Sequence, residues 1–269
     1  MWRSKIGLMH SVHDYLNSPI TDSTPLLALV LKKNHAWLIT NKDYTLTTEE
    51  KNTLKPLIEQ REQGVPFAYL SGVKGFYHLD FTVTPDTLIP RPETELLIDI
   101  ALDLFKGKAC KLLDLGTGSG IIAITLADKN PHWQVVATDF SKQALKVARQ
   151  NTTINIDFQQ GSWFDAVQDK QFNLIISNPP YIEQDDPCLK DLIHEPQTAL
   201  VSGKDGLDAI RIIIKQAPKH LTNNGFLLLE HGYNQQIKIV ELLKENFTHI
   251  QTFNDYNSNN RAVLAQLKS

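Results

Sequence analysis

Cysteine is nearly absent. Cys110 and Cys188 are the only two in 269 residues, so no disulfide framework can form and two reduced thiols are expected. That usage points to the cytoplasm. Long apolar runs are missing as well: none approaches the ~20 residues of a membrane helix. The start, Met1 to His10, lacks the apolar stretch and small-residue cleavage site of a secretory signal. Basic charge is not in excess. Lys and Arg number 27 against 30 Asp and Glu, a net charge of −3. Residues 1–85 carry 9 basic and 8 acidic side chains, and residues 86–269 carry 18 and 22, so neither part is a basic module. A protein held to nucleic acid chiefly through phosphates needs such a module. No repeat and no low-complexity tract occurs. Metal-ligand patterns also fail. His194-Glu195 could open a zinc-protease helix, but position 198 is Thr, and His10 with His13 lacks a third ligand.

An apolar share of 42% with 21% charged residues describes a globular chain. At ~150 residues per domain, its length suits one large or two unequal domains. Residues 1–75 predict short helices. Met9, Val12 and Leu16 share one helical face, with Ile6 nearby. Thr24-Pro25 reads as a cap followed by proline at the first helical position. Thr47-Thr-Glu-Glu50 contains a capping box for a helix that Pro56 should kink or divide and Gly64 should end. Phe76, Leu79, Phe81 and Val83 suggest two short strands, a hairpin linker within 76–90.

From residue 91 strands and helices alternate. Pro92 opens a helix with Leu97, Ile100, Ala101 and Leu104 inward. Strands are predicted at 111–115, 134–139, 156–159, 172–177 and 226–230, with helices at 120–129, 142–151, 207–221 and 235–245. Helices between strands imply a parallel sheet covered on both faces. The last two strands, 250–255 and 262–266, have no crossover between them and should be antiparallel. The expected shape is an α/β fold with a mostly parallel seven-stranded sheet and one reversed strand, spanning 91–269.

Leu112-Leu-Asp-Leu-Gly-Thr-Gly-Ser-Gly-Ile121 joins the first of these strands to its helix. Small residues there admit a ligand close to the backbone, and a helix start offers N–H groups. A dinucleotide loop needs glycine at its first, third and sixth positions, here Gly116, Gly118 and Ile121. The sixth is wrong. Gly116, Thr117, Gly118, Ser119 and Gly120 instead resemble the S-adenosylmethionine loop of class I methyltransferases. Asp139 ends the next strand, where a carboxylate can accept hydrogen bonds from both ribose hydroxyls. Ser141 can cap the helix that follows in its place.

Ser177-Asn178-Pro179-Pro180-Tyr181 follows an apolar strand and so lies at the carboxyl end of the sheet, beside the glycine loop. A planar –NH2 nitrogen is a poor nucleophile because its lone pair is delocalised. Two acceptors, the Asn178 side-chain oxygen and the Pro179 carbonyl, can turn that lone pair toward an electrophilic methyl. The two prolines stiffen the carbonyl, and Tyr181 offers an aromatic face for stacking. Catalysis of this kind is mostly placement. The four residues suit an amide and the exocyclic amine of adenine equally. The net charge of −3 and the absence of a basic insert argue against nucleic acid, and the intact Asn-Pro-Pro-Tyr argues against a module that only binds.

These motifs closely resemble the release-factor glutamine methyltransferase family. Leu88-Ile-Pro-Arg-Pro-Glu-Thr-Glu95, Asp114-Leu-Gly-Thr-Gly118 and Ser177-Asn-Pro-Pro-Tyr181 carry the likeness, extended by Glu195-Pro-Gln-Thr-Ala-Leu200 and Leu227-Leu-Leu-Glu-His-Gly232. The resemblance implies a class I methyltransferase Rossmann-like domain behind a small N-terminal helical substrate-binding domain. It implies methyl transfer from S-adenosyl-L-methionine, leaving S-adenosyl-L-homocysteine, to the glutamine side-chain nitrogen of the Gly-Gly-Gln motif in peptide chain release factors, modulating translation termination. By that likeness residues 116–120, Asp139, Trp163 and Asn178 contact the cofactor, and Asn178, Pro179, Pro180 and Tyr181 receive the glutamine. The same likeness implies that Arg91 and Glu93 stand beside the motif loop. Ser162 departs from the acidic residue many members carry there. A related branch methylates a ribosomal-protein glutamine; Leu229-Glu-His-Gly232 favours the release-factor branch. A monomer without metal or membrane attachment is expected.

Overall fold

In the computed structural model, which describes residues 9–269, the chain divides into two compact units, the second being Val73–Ser269. The first unit is helical. Helices α1 (Val12–Leu16), α2 (Ser23–Leu31), α3 (His35–Thr40), α4 (Thr48–Glu62) and α5 (Phe67–Ser71) enclose Val12, Tyr15, Leu26, Leu27, Leu38, Leu54 and Ile58. Met9 and Leu16 pack against that core; Ile6 lies outside the described residues.

Local chemistry sets the helix ends. Thr47 accepts the Glu50 N–H and the Glu50 carboxylate accepts the Thr47 N–H, which is the capping box. One expectation is narrowed and one needs correction. Pro56 does not divide α4: Pro56 and Asn52 both face solvent, so water can satisfy the Asn52 carbonyl that loses its partner. Asp22, in a left-handed conformation, occupies the cap of α2 in place of Thr24. Pro25 still falls in the first turn, where a missing N–H costs no helix bond.

The second unit begins with a hairpin, β1 (Val73–Phe76) and β2 (Leu79–Thr82). It starts ahead of the 76–90 window, because Phe76 and Phe81 meet edge to face and join the core of the larger unit. Residues 83–91 then run as irregular chain, and a short 3₁₀ turn, Pro92–Thr94, leads into α6 (Glu95–Leu104).

The strands β3 (Lys111–Leu115), β4 (Gln134–Asp139), β5 (Asp157–Gln160), β6 (Phe172–Ser177), β7 (Leu221–Glu230), β8 (Phe247–Asn254) and β9 (Asn260–Leu267) form one sheet in the order β5-β4-β3-β6-β7-β9-β8. Pairs from β5 through β7 are parallel, and β9 runs antiparallel to both neighbours. The connecting helices are α7 (Ile121–Lys129), α8 (Lys142–Gln150), α9 (Asp208–His220) and α10 (Gln236–Leu243). Strand periodicity sorts the core. Leu112, Ala137, Leu174, Ile176 and Leu228 face one way, toward α6 and α7. Leu113, Leu115, Ile175, Leu227 and Leu229 face the other, toward α9 and α10. Both faces are therefore apolar and covered, as parallel strands require. Chain order reverses between β3 and β6, which opens a crevice at their carboxyl ends. Among the described residues no helix is long and apolar enough to cross a membrane.

Candidate active site

The crevice is built from the register of β3 and β6. Leu115 stands opposite Ser177, and the Ser177 hydroxyl donates to the Leu115 carbonyl at 2.7 Å in a buried bond. The last residue before the glycine loop is thus tied to the last residue before Asn178. A cavity of about 430 Å³ lies there, of a size that holds a cofactor. Gly116, Thr117, Gly118, Ser119, Asp139, Trp163, Asn178, Pro179 and Pro180 all line it. Gly120 and Tyr181 do not.

Gly116, Gly118 and Gly120 have positive φ, so the loop's path requires glycine. A Cβ on Gly120 would lie 2.6 Å from Ile124, so this glycine serves the packing of α7. Helix-start N–H groups were expected to face a ligand, but most loop amides are already engaged. Gly116 and Thr117 both donate to the Thr138 carbonyl at 2.9 Å, Gly118 donates to Asp139 Oδ2 at 2.9 Å, and Gly120 donates to the Thr117 carbonyl at 2.8 Å. A loop so engaged is not the amide-rich cradle a pyrophosphate needs.

Asp139 ends β4 and is buried. Its Oδ1 accepts the Ser141 N–H at 2.8 Å, while Ser141 caps α8 by accepting from the Ala144 N–H at 3.1 Å. Each Asp139 oxygen keeps a further lone pair. Burial pushes its carboxyl above the ordinary range, against the two N–H bonds. Trp163 adopts a left-handed backbone (φ 49), uncommon for a bulky residue, and its ring packs beside Gly116. Phe140, 55% exposed, adds a second aromatic wall.

Beneath the loop lies Asp114, fully buried. It accepts from the Thr117 hydroxyl at 2.6 Å and from the Ala123 N–H at 3.2 Å, and its Oδ1 has no partner among the described residues. Loss of hydration pushes its carboxyl up to about 7. The folded state therefore holds this proton where the unfolded chain has released it. Its contribution to stability should fall as pH rises from about 4 to about 7. In thermal unfolding across that range, Asp114→Asn should gain on the wild type as pH rises; parallel curves would contradict the raised carboxyl.

The Asn-Pro-Pro-Tyr segment is fixed from several sides. Asn178 Nδ2 donates to the Thr94 hydroxyl at 3.0 Å, and that hydroxyl donates to Glu230 Oε2 at 2.7 Å. The Tyr181 hydroxyl donates to Glu230 Oε1 at 3.1 Å. Gln235 Nε2 donates to the Tyr181 carbonyl at 2.9 Å. Glu195 accepts from the Ile89 N–H at 3.0 Å and pairs with Arg91, clasping the 88–91 segment that also walls the cavity. Thr94, Glu230, Glu195 and Phe140 were not singled out from sequence. The first three lie in motif stretches of the family resemblance, and Phe140 follows Asp139, so the signals were present.

Gly206 has φ +70, and a Cβ there would lie 2.2 Å from the Tyr181 carbonyl oxygen and 2.5 Å from Gln235 Nε2. The left-handed backbone alone costs an L-residue about 1–2 kcal/mol. Gly206→Ala should lower the unfolding midpoint and displace the 178–181 segment, reducing turnover by at least ~10-fold, the rate equivalent of 1.4 kcal/mol. Wild-type turnover in this variant would show that the segment tolerates displacement.

A glycine loop and an Asn-Pro-Pro-Tyr turn at neighbouring strand ends define a methyltransferase. Residues 93–205 match the Methyltransferase small domain family, and residues 13–72 match the PrmC N-terminal domain. The fold is that of a T. thermophilus 16S rRNA N2 methyltransferase solved with AdoMet and guanosine (TM-score 0.57, 17% identity, 73% of this chain and 50% of that one). The release factor glutamine methyltransferase of Coxiella burnetii is 44% identical over 232 residues, covering 84% of each chain. That of Vibrio cholerae is 42% identical over 261 residues, covering 94% of this chain and 91% of its own. The chain belongs to the release factor glutamine methyltransferase family.

Proposed function

We propose that this chain transfers a methyl group from S-adenosyl-L-methionine to the side-chain amide nitrogen of the glutamine in the Gly-Gly-Gln motif of peptide chain release factors, and so modulates translation termination. The observation that carries this reading is the Leu115–Ser177 register with its buried hydroxyl bond, which brings the glycine loop and Asn178 to one cavity.

The residues present fit the cofactor. Its ribose suits the Asp139 carboxylate, its adenine suits the aromatic walls Trp163 and Phe140, and its lack of pyrophosphate suits a loop whose amides are engaged elsewhere. When bound, the cofactor supplies an electrophilic methyl on a positively charged sulfur. Asn178 Oδ1 and the Pro179 carbonyl accept from the two N–H groups of the glutamine amide, which turns the nitrogen lone pair toward the methyl. The prolines hold that carbonyl in place. The cationic amide formed as its nitrogen takes up the methyl is a strong acid and releases one proton to water, leaving the neutral N-methyl amide, so no dedicated base is required. Tyr181, whose hydroxyl is tied to Glu230, stiffens the end of the segment, a role added to the stacking expected of its ring. Residues 13–72 are proposed to grip the release factor, with the enzyme acting as a cytoplasmic monomer.

The test is incubation with labelled S-adenosylmethionine and, separately, release factor, ribosomal protein, DNA and RNA, with the label located by mass spectrometry. Label on the Gly-Gly-Gln glutamine is expected. Labelled adenine, or an unlabelled glutamine in that loop, overturns the proposal.

A further inference from the structure

We propose that Thr94 and Glu230 are positioning residues for methyl transfer: Glu230 orients the Thr94 hydroxyl, and that hydroxyl fixes which edge of the Asn178 amide meets the incoming nitrogen. The proposal rests on the function given above and deepens it.

The two edges of an asparagine amide are almost identical in shape and opposite in chemistry. Oδ1 accepts, and Nδ2 donates. If Nδ2 faced a glutamine –NH2, two donors would meet and the lone pair would not be aimed. Some group must therefore choose the edge. The Thr94 hydroxyl has one proton to give and two lone pairs to receive with. A carboxylate only accepts, so at 2.7 Å from Glu230 the hydroxyl commits its proton to Oε2. Toward Asn178 it can then only accept, and at 3.0 Å it receives Nδ2. Oδ1 is left on the opposite edge of the amide.

The placement of this relay argues for function over packing. Thr94 and Glu230 are both fully buried. A buried carboxylate is costly to hold, and an apolar residue in its place is often neutral or stabilising, so its retention calls for another role. Sheet register delivers Glu230 to this spot: Ser177 pairs with Leu229, so the next residues along β6 and β7 are Asn178 and Glu230. The second carboxylate oxygen receives the Tyr181 hydroxyl at 3.1 Å, so one side chain secures both ends of the Asn-Pro-Pro-Tyr segment. Burial pushes the Glu230 carboxyl up to about 7, and Glu93 in the 3₁₀ turn adds to the rise, against the Thr94 and Tyr181 hydroxyls and Arg261 on β9. The relay's polarity is set by the ionised carboxylate, so its kcat effect is read above pH 7.

The test uses the full-length enzyme with saturating cofactor and a release factor. Thr94→Val keeps shape and removes the hydroxyl; Thr94→Ser keeps the hydroxyl. Thr94→Val is expected to lower kcat ~10–100-fold, the range found when outer partners of metal ligands are removed. Cofactor Kd should stay within about threefold, less than one lost hydrogen bond to a charged group would cause. Thr94→Ser should recover most of the loss. Added to Asn178→Ala, Thr94→Val should cost little more, because the two act as a unit. Should Thr94→Val fail to fold, Glu230→Gln, of equal size but able to donate, leaves the hydroxyl free to take either polarity and should lower kcat ~10-fold on the same scale.

The relay is overturned by wild-type kcat in Thr94→Val, by a Thr94→Ser as impaired as the valine, by kcat and cofactor affinity falling together, or by additive losses with Asn178→Ala. A wild-type enzyme that leaves the Gly-Gly-Gln glutamine unlabelled overturns the functional reading and this role with it. A labelled glutamine with a fully active Thr94→Val overturns the relay alone.

Discussion

Asn178→Ala is expected to lower kcat by ~10²–10³-fold, the loss seen when one placed hydrogen-bonding group is removed from other active sites. Cofactor affinity should fall far less. The separation follows from where the side chain sits. Asn178 stands at the end of β6, and its amide is braced by Thr94 rather than by the glycine loop. The loop's own bonds run to Thr138 and Asp139, and none of them depends on Asn178. Truncation therefore removes an acceptor for the reacting nitrogen and leaves the cofactor wall standing. Single-turnover methylation of a release factor, with cofactor binding measured calorimetrically, reads the two effects apart. Unchanged turnover in the purified variant would refute the assignment of Asn178 to the reacting nitrogen.

Asp139→Ala should do the reverse. A hydrogen bond to a charged group contributes about 1.5–3 kcal/mol, so losing two ribose bonds should weaken cofactor binding by ~10² or more. The variant also releases the Gly118 and Ser141 amides, which the carboxylate now receives. Some loosening of the loop is expected on top of the lost contacts. Asp139→Asn keeps one acceptor and should fall between. At saturating cofactor both variants should turn over within about tenfold of wild type, because a loss of uniform binding leaves kcat alone. A cofactor Kd unchanged in Asp139→Ala would remove the ribose assignment. Together the two variants divide the cavity into a half that holds the cofactor and a half that aims the nucleophile.

Much of the fold can be read from residue order, and the misreadings have local causes. The β7 strand begins at Leu221, five residues before the expected Phe226, although Thr222-Asn-Asn-Gly225 has the composition of a turn. Pairing of Phe172 with Leu221 across an irregularity in β6 keeps the segment in the sheet, a long-range contact that composition does not reveal. The last strands are also longer than their apolar cores suggest, because Phe247 pairs with Leu267 at one end and Asn254 with Asn260 at the other.

The same division runs through the site. Gly116, Gly118, Gly120, Asp139 and Asn178 can be singled out from sequence because their properties are local. Positive φ needs glycine, and a strand end followed by a helix fixes where a carboxylate or a turn will stand. The partners that aim these residues are not local. Thr94 and Asn178 are 84 residues apart, Thr94 and Glu230 are 136 apart, and Arg91 and Glu195 are 104 apart. The order of residues by itself determined an alternating α/β chain, a loop suited to a ligand without pyrophosphate, and a turn suited to a planar –NH2 group. Tertiary structure alone decided which edge of Asn178 faces outward, because that depends on sheet register bringing a hydroxyl and a carboxylate from distant parts of the chain within hydrogen-bond distance.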